Sequence, residues 1–308
     1  MKFITMTICP KQSAVRLATI TLMAAFCLLF ASCGLLGGGE ESPPSSVPSS
    51  SQQEESALPT VSVTIPEGLT AREIADQLEI NGVCKAEDFL TALTTGTFDY
   101  PFLTQIPDDE RIYLRLEGYL FPDTYEFYLD EAPADVIARF LSNFQARVDD
   151  ALLAEIEWQA MTLHEVVTLA SIVQEEAIDP AEMAMVSSVF HNRLQSVDFP
   201  KLQSDVTIFY VRLNIEPYVT EEENTTYFKA YSTYDCNDLP VGPICSPGLD
   251  AIKAAINPEQ SDYYYFLTDK TGKFYYAKTY KVHSANWEEA KAVNAALSAQ
   301  TAGGSSQD

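Results

Sequence analysis

Apolar and polar positions alternate strictly at the start of the folded region and then switch to helical spacing. Val61, Val63 and Ile65 fall on one face and Ser62 and Thr64 on the other, which predicts a strand. Pro66-Glu67-Gly68 reads as a turn, and Thr70 with Glu73 three residues on predicts a capped helix start. Ile74, Ala75 and Leu78 give that helix its buried stripe, and Asn81-Gly82 ends it. Phe89, Leu90 and Leu93 mark a second helix. This β-turn-α-α unit is too small for a catalytic body, and its shape suits a carbohydrate-binding module.

Residues 133–149 predict a helix with Val136, Ile137, Phe140, Phe144 and Val148 on one side. Thr162 and Glu165 form a second capping box. Leu163, Val166, Val167, Ala170, Val173 and Ala177 follow at helical spacing, and that helix ends in Gln174-Glu175-Glu176. Another helix covers 181–196, burying Val186, Val189, Phe190 and Leu194. The later half reads as rich in strands and turns. Residues 206–213 are apolar and β-branched. Leu239-Pro240-Val241-Gly242-Pro243 and Ser246-Pro247-Gly248 are rigid turns. A short helix covers 249–256, and strands at 263–268 and 273–279 flank the turn Lys270-Thr271-Gly272. A last helix covers 283–297. Helices and strands mix without βαβ alternation, so the fold class is α+β. The aromatic stretch 116–127, broken by Pro122-Asp123, reads either as a core β-turn or as an aromatic grip on sugar rings.

The first residues follow different rules. Lys2, Lys11 and Arg16 precede an apolar run at 17–31, which is a signal-peptide core or a short membrane span. Phe30-Ala31-Ser32-Cys33 resembles a bacterial lipobox, with Phe30 in place of the usual Leu, so Cys33 is the candidate lipidation site. The rival is an uncleaved single-pass anchor. Both put the rest of the chain outside the bacterial cytoplasmic membrane, tethered to it. Residues 34–58 are Gly, Ser, Pro, Glu and Gln, too poor in large apolar groups to order, and read as a disordered linker. The expected division is anchor 1–33, linker 34–58, module 59–100, catalytic domain 101–297 and flexible tail 298–308.

Charge narrows the partners. With 44 acidic against 19 basic residues, the 308-residue chain carries a formal net charge of −25. That argues against DNA or RNA and against docking on anionic lipid. The six cysteines are too few and too irregular for a disulfide scaffold, and pairing of Cys236 with Cys245 stays open. His164-Glu165-Val166-Val167-Thr168 lacks the second histidine of a zinc motif, so no metal is expected. No nucleophile elbow and no glycine-rich phosphate loop occurs, and no cofactor is expected.

Carboxylates remain. Glu176 ends an apolar helix, one turn after Ile172. Apolar surroundings and the negative end of the helix dipole both raise a carboxyl pKa toward the range of a general acid. Glu175 points elsewhere, about 100° round the helix. A solvated pair at a helix end is the plainer alternative.

Several motifs then line up in one order. Leu116-Glu117-Gly118-Tyr119-Leu120-Phe121-Pro122-Asp123-Thr124-Tyr125 comes first, followed by Leu169-Ala170-Ser171-Ile172-Val173-Gln174-Glu175-Glu176. Next come Ser188-Val189-Phe190-His191-Asn192-Arg193-Leu194 and Leu202-Gln203-Ser204-Asp205-Val206-Thr207. Tyr231-Ser232-Thr233-Tyr234, the turn at 239–244 and Thr279-Tyr280-Lys281-Val282-His283-Ser284 close the series. Together they resemble the endolytic murein transglycosylases, the YceG-like family. Val206, Ser232, Asp238 and Val241 depart from that family's pattern, and the last motif matches loosely. A low-complexity linker stands where the family has a longer N-terminal region.

The resemblance implies a LysM-like module ahead of the catalytic domain and cleavage of peptidoglycan between N-acetylmuramic acid and N-acetylglucosamine, leaving 1,6-anhydro ends. It makes Glu176 the catalytic acid. Glu117, Gln203, Ser204, Asp205 and Tyr234 become candidates to bond sugar hydroxyls and N-acetyl groups. Asn192 and Arg193 become candidates to orient a loop or bind a carboxylate. A structural role stands open for each. Glycan strands are the implied partner, with peptidoglycan synthases and divisome or elongasome proteins beyond them. Two other readings stay open: a non-catalytic peptidoglycan-binding scaffold, and a muramidase whose second carboxylate is Glu117 or Asp205.

Overall fold

The computed structural model describes residues 59–304. The apolar run 17–31, Cys33 and the linker at 34–58 lie outside the described residues. Among the described residues, no helix is long and apolar enough to cross a membrane.

Strand β1 (Thr60–Thr64) leads into helices α1 (Ala71–Ile80) and α2 (Ala86–Thr95) and a 3-10 turn at Pro101–Gln105. β2 (Thr124–Tyr128) then returns antiparallel to β1, with Val63 opposite Tyr125. The partner of β1 therefore comes from beyond the boundary expected near residue 100. Helices α3 (Pro133–Arg147), α4 (Asp150–Trp158), α5 (Leu163–Glu176) and α6 (Pro180–Leu194) follow. Then come α7 (Val206–Tyr210), a π-helical turn (Val211–Ile215), a 3-10 turn (Glu216–Tyr218) and α8 (Glu221–Tyr231). The chain closes with α9 (Leu249–Ile256), the β3 (Tyr265–Thr268) and β4 (Phe274–Ala277) hairpin, and α10 (Tyr280–Gly304). Mixed helices with two small sheets make this an α+β fold.

Both capping boxes form as read. Thr70 accepts from the Glu73 N–H and Thr162 from the Glu165 N–H, while each Glu reaches back to its cap. Gly82, at φ +74°, follows the Asn81 that ends α1, and Gly272, at φ +87°, turns the β3–β4 hairpin.

Three stretches differ from the pattern reading. Residues 206–215 are helical, not extended. Thr207, Tyr210, Val211 and Ile215 are the buried positions there, and three-, one- and four-residue spacing is a helical stripe. The β-branched composition hid that period. Helices α4 and α8 were not anticipated. The side chains of Asp149 and Thr220 cap them, so each had a local start signal.

Helix α5 is the centre. Every residue from Leu163 to Val173 is buried except Glu165 in the capping box. α9, α6, α7, α4 and the 3-10 turn at Pro101–Gln105 all pack against it. A helix apolar nearly all round has no solvated face and needs such a jacket. The 116–127 stretch belongs to the same core. Tyr119 and Phe127 are fully buried, and Phe121 and Tyr125 nearly so. Tyr119 rests on Phe144 at 5.1 Å between ring centroids, and Tyr125 on Phe140 at 4.6 Å.

His164 is a core histidine. Its Nε2–H donates to the Val241 carbonyl at 2.9 Å, since a carbonyl only accepts. Burial lowers its pKa and keeps the ring neutral. Nδ1 therefore accepts from the Tyr119 hydroxyl at 3.1 Å. The turn at 239–244 is thus bonded to α5 and, through it, to the aromatic core.

Gly118 lets that turn come close. It has φ +85°, and a Cβ built on it would lie 2.5 Å from Pro243 Cβ. Gly118→Ala therefore combines backbone strain with a clash against a rigid ring. We expect a loss of about 2 kcal/mol or more, a fall of several degrees in melting temperature. Thermal unfolding followed by circular dichroism checks this; an unchanged midpoint would refute the tight approach.

Candidate active site

Helix α5 comes out of the core at its last turn. Gln174, Glu175 and Glu176 are half-buried, after eleven residues of which ten are buried. The helix stops because Ala177 turns extended, at φ −140° and ψ 153°. Asp179 then caps α6 with Pro180 in its first turn. Glu176 is thus the terminal helical residue.

The loop 244–248 lies along the same helix end. The Ile244 N–H donates to Ser171 Oγ at 3.0 Å and the Cys245 thiol to the Ser171 carbonyl at 3.3 Å. The Gly248 N–H donates to Gln174 Oε1 at 3.0 Å. A Cβ on Gly248 would fall 1.9 Å from Glu67 Oε1, so the Glu67 side chain lies directly against this glycine and would have to move for any larger residue. Backbone bonds from Gly68 to Ser246 and from Ser246 to Leu69 stitch the β1–α1 turn to this loop. Cys236 and Cys245 do not pair with each other.

A second segment meets Glu176 from the α7 side. Ser204 Oγ donates to Glu176 Oε1 at 2.6 Å. Ser204 is itself buried, and its N–H donates to Thr233 Oγ1 at 2.9 Å. The hydroxyls of Thr233 and Thr207 both donate to the Ser204 carbonyl, at 2.9 and 3.0 Å. Gln203 sits at φ +53°, a left-handed conformation that a side chain rarely adopts. Its N–H donates to the Thr233 carbonyl at 3.1 Å.

Arg193 braces this turn. Its Nη1 donates to the carbonyls of Lys201 and Leu202 and to Gln203 Oε1, at 3.2, 2.9 and 3.2 Å. Its Nε donates to the Tyr264 carbonyl at 2.6 Å. Asn192 Nδ2 donates to the carbonyls of Ser261 and Tyr263, at 3.0 and 2.9 Å. Both side chains therefore tie loops to α6. Glu117 is also an internal tie. It is 1% exposed, and its two oxygens accept from the Ala71 N–H at 2.9 Å and the Tyr210 hydroxyl at 3.1 Å.

Burial sets the electrostatics. Glu176 keeps some solvent contact, yet protein surrounds its carboxyl densely. Desolvation pushes its pKa up to about 7; the Ser204 bond pulls it back, and Asp205 and Glu175 push it further up. Asp205, ahead of α7, accepts from the Tyr234 hydroxyl at 2.7 Å. Tyr234 is 38% exposed and Gln203 is exposed, so both present polar groups to solvent. A carboxyl half-protonated near neutral pH, reachable from outside and held by one hydroxyl, can give and take a proton.

Glu176, Ser204, Asp205 and Tyr234 come together, with Gln203 at their edge. Glu117, Asn192 and Arg193 act from within. Thr233 and Thr207 are the members that the sequence reading did not single out. Both lay inside quoted motifs, but nothing in the spacing tied Thr233 to Ser204. No group of His, Cys, Asp or Glu able to hold a metal ion occurs among the described residues. A cavity of about 870 Å³ lies elsewhere, over β2 and α3, and Glu176 does not line it.

The chain is similar to known proteins over most of its length. The model of the YceG-like family matches residues 45–289. An endolytic murein transglycosylase of Streptococcus pneumoniae is 34% identical over 249 residues, covering 74% of this chain and 44% of its own length. One of Bacillus subtilis is 30% identical over 230 residues, covering 72% and 63%. The chain thus spans less than two thirds of these relatives. The crystal structure of a YceG-like protein from Listeria monocytogenes superposes with a TM-score of 0.61 at 31% identity, covering 73% of this chain and 75% of that one.

The buried tie at Glu117 gives a stability prediction. Burial raises its pKa from the ordinary 4.5 to about 7, so the folded state keeps a proton that the unfolded chain releases. That contribution is complete at pH below 4.5 and is lost as pH rises through about 7. Its size is on the order of 3 kcal/mol at most. Glu117→Gln should therefore flatten the fall in melting temperature between about pH 5 and pH 8. Identical slopes for the variant and the parent chain would rule the tie out as the source.

Proposed function

The chain belongs to the YceG-like family, and on that premise we propose that it is a lytic transglycosylase acting on peptidoglycan. The bond cut is the β-1,4 link between N-acetylmuramic acid and N-acetylglucosamine within glycan strands. One observation carries the mechanism: Glu176, half-buried and raised to about 7, ends a buried helix with a hydroxyl on one oxygen.

Neutral Glu176 gives its proton to the glycosidic oxygen as that bond breaks. The carboxylate left behind takes the proton from the muramyl 6-hydroxyl, whose oxygen closes on the anomeric carbon of the same sugar. The product is a 1,6-anhydro-muramyl end, and no water is consumed. Ordinary glycosidases divide this work between two carboxylates. Here one residue serves first as acid and then as base, which suits a pKa near the working pH. The attacking hydroxyl belongs to the substrate, so its effective concentration is high from the start.

Asp205, Tyr234 and Gln203 line the approach to Glu176 and supply hydrogen bonds for sugar hydroxyls and N-acetyl groups, while the buried Ser204 hydroxyl is taken up by Glu176. The β1–α1–α2 unit is a LysM-like glycan-binding module. The N-terminal segment, through Cys33 lipidation or an uncleaved span, holds the body at the outer face of the cytoplasmic membrane. That placement suits action on nascent strands beside the synthases.

The test incubates the full chain, in detergent, with purified peptidoglycan, beside a Glu176→Gln twin. Mass spectrometry should find anhydro-muramyl ends, and the twin should be slower by at least about a hundredfold. The acid form is lost as pH rises through about 7, so the rate should fall on the alkaline side with a midpoint there. Reducing ends one water heavier would make it a hydrolase, with Asp205 as the second carboxylate. Bound but uncut glycan would favour the scaffold reading.

A further inference from the structure

Among the described residues the Ser204 hydroxyl makes one hydrogen bond, and that bond goes to Glu176 Oε1. The turn that carries it does not need it. Arg193 holds the Lys201 and Leu202 carbonyls and Gln203 Oε1. Thr233 and Thr207 saturate the backbone N–H and carbonyl of Ser204. The left-handed Gln203 ahead of it is a strained residue held by the same bonds. Local strain and a full set of backbone ties together aim a single hydroxyl at a single carboxyl oxygen.

Building on the proposed role of Glu176, we propose that Ser204 is a positioning residue: by occupying Oε1 it keeps the transferable proton of Glu176 on Oε2. In a neutral carboxyl the carbonyl oxygen is the good acceptor, and the protonated oxygen is a poor one. A fixed donor therefore assigns the two roles. Oε1 becomes the carbonyl oxygen and Oε2 carries the proton. Oε2 has no hydrogen-bond partner among the described residues. The same oxygen then gives the proton to the leaving group and takes the next one from the 6-hydroxyl. Without Ser204 the proton is shared between both oxygens, and half of the neutral population presents the wrong one.

A second consequence follows from charge. The ionised groups acting on Glu176 are Asp205 ahead of α7 and Glu175 on its own helix, both anionic, and Tyr234 stands nearby as a neutral phenol. These and burial favour the neutral acid. The Ser204 hydroxyl opposes them, since it stabilises the carboxylate needed in the base step. Its removal therefore pushes the titration of Glu176 upward.

The experiment measures kcat, KM and the pH–rate profile of the full chain in detergent, for Ser204→Ala and the near-isosteric Ser204→Cys. Ser204→Ala should lower kcat by about twofold to fivefold, from the misplaced proton and the weaker support of the carboxylate, and move the alkaline midpoint up by about half a pH unit or more, with KM within about twofold. Ser204→Cys, a weak donor, should fall between. A merely structural serine would lower kcat and leave the midpoint where it is; that result, or wild-type kcat with an unmoved midpoint, overturns the proposal. If Ser204→Ala gives no cooperative melting, the Ser204→Cys midpoint decides by the same criterion. Glu176→Gln separates the two levels of argument. An active Glu176→Gln sinks the acid and Ser204 together. An inactive one beside an unshifted Ser204→Ala sinks Ser204 alone.

Discussion

A helix buried on every side cannot hydrate a charge along its length, so α5 carries its carboxyls only at its two ends. The ends treat the same chemical group in opposite ways. At the start, Glu165 accepts from the Thr162 N–H and hydroxyl, and the helix dipole favours its negative charge. At the finish, Glu176 faces the negative end of the dipole, loses most of its water and gains one hydroxyl. The first carboxylate fixes where the helix begins. The second is left nearly indifferent to its proton at neutral pH. Both follow from the demand that Leu163 to Val173 be covered.

That demand also dictates what surrounds the site. Covering α5 takes α9, α6, α7 and a loop rich in proline and glycine. Two of the covering segments, the loop 244–248 and the turn before α7, bring polar groups to the last turns of the helix. The loop 244–248 takes Ser171 and Gln174, and the turn before α7 takes Glu176. Arg193 shows what holding such a turn requires. It is buried, its four acceptors are all neutral oxygens, and burial lowers its pKa. A carboxylate partner would neutralise it, but carbonyls leave its donors spread along three consecutive residues of the turn.

The helices that pack by periodicity were legible in the chain. α1, α5 and α6 announce themselves by an apolar stripe behind a capping residue, and α9 and the β3–β4 hairpin by their bounding turns. The helix through 206–215 was not, because Val206, Ile208 and Val211 carry strand propensity that tertiary burial overrides. The pairing of β1 with β2 was equally hidden, since no local signal links Val63 to Tyr125 across so long a loop. In the site, Glu176 could be singled out from its helix, because a carboxyl against an apolar run is locally visible. The Ser204 bond is a contact between segments, and the double grip of Thr233 on Ser204 depends on a turn that no spacing predicts.

Charge gives the last link. The chain carries a net −25, and both charged groups acting on Glu176 are anions. If, as proposed, the substrate is a glycan bearing carboxylates, Coulomb attraction cannot draw it to such a protein, and recognition rests on hydrogen bonds and shape. Under the proposed mechanism this acidity has a use. A neutral Glu176 is the form that adds no further repulsion, and it is also the form that can act as the acid. A glycan lying over the half-buried carboxyl removes more of its water, which raises its pKa in the same sense as burial does. Substrate binding and protonation of Glu176 therefore support each other. Once the glycosidic oxygen has taken the proton, the balance reverses, and a carboxylate pressed between anions and a dehydrated sugar is driven to take the nearest proton offered, that of the 6-hydroxyl.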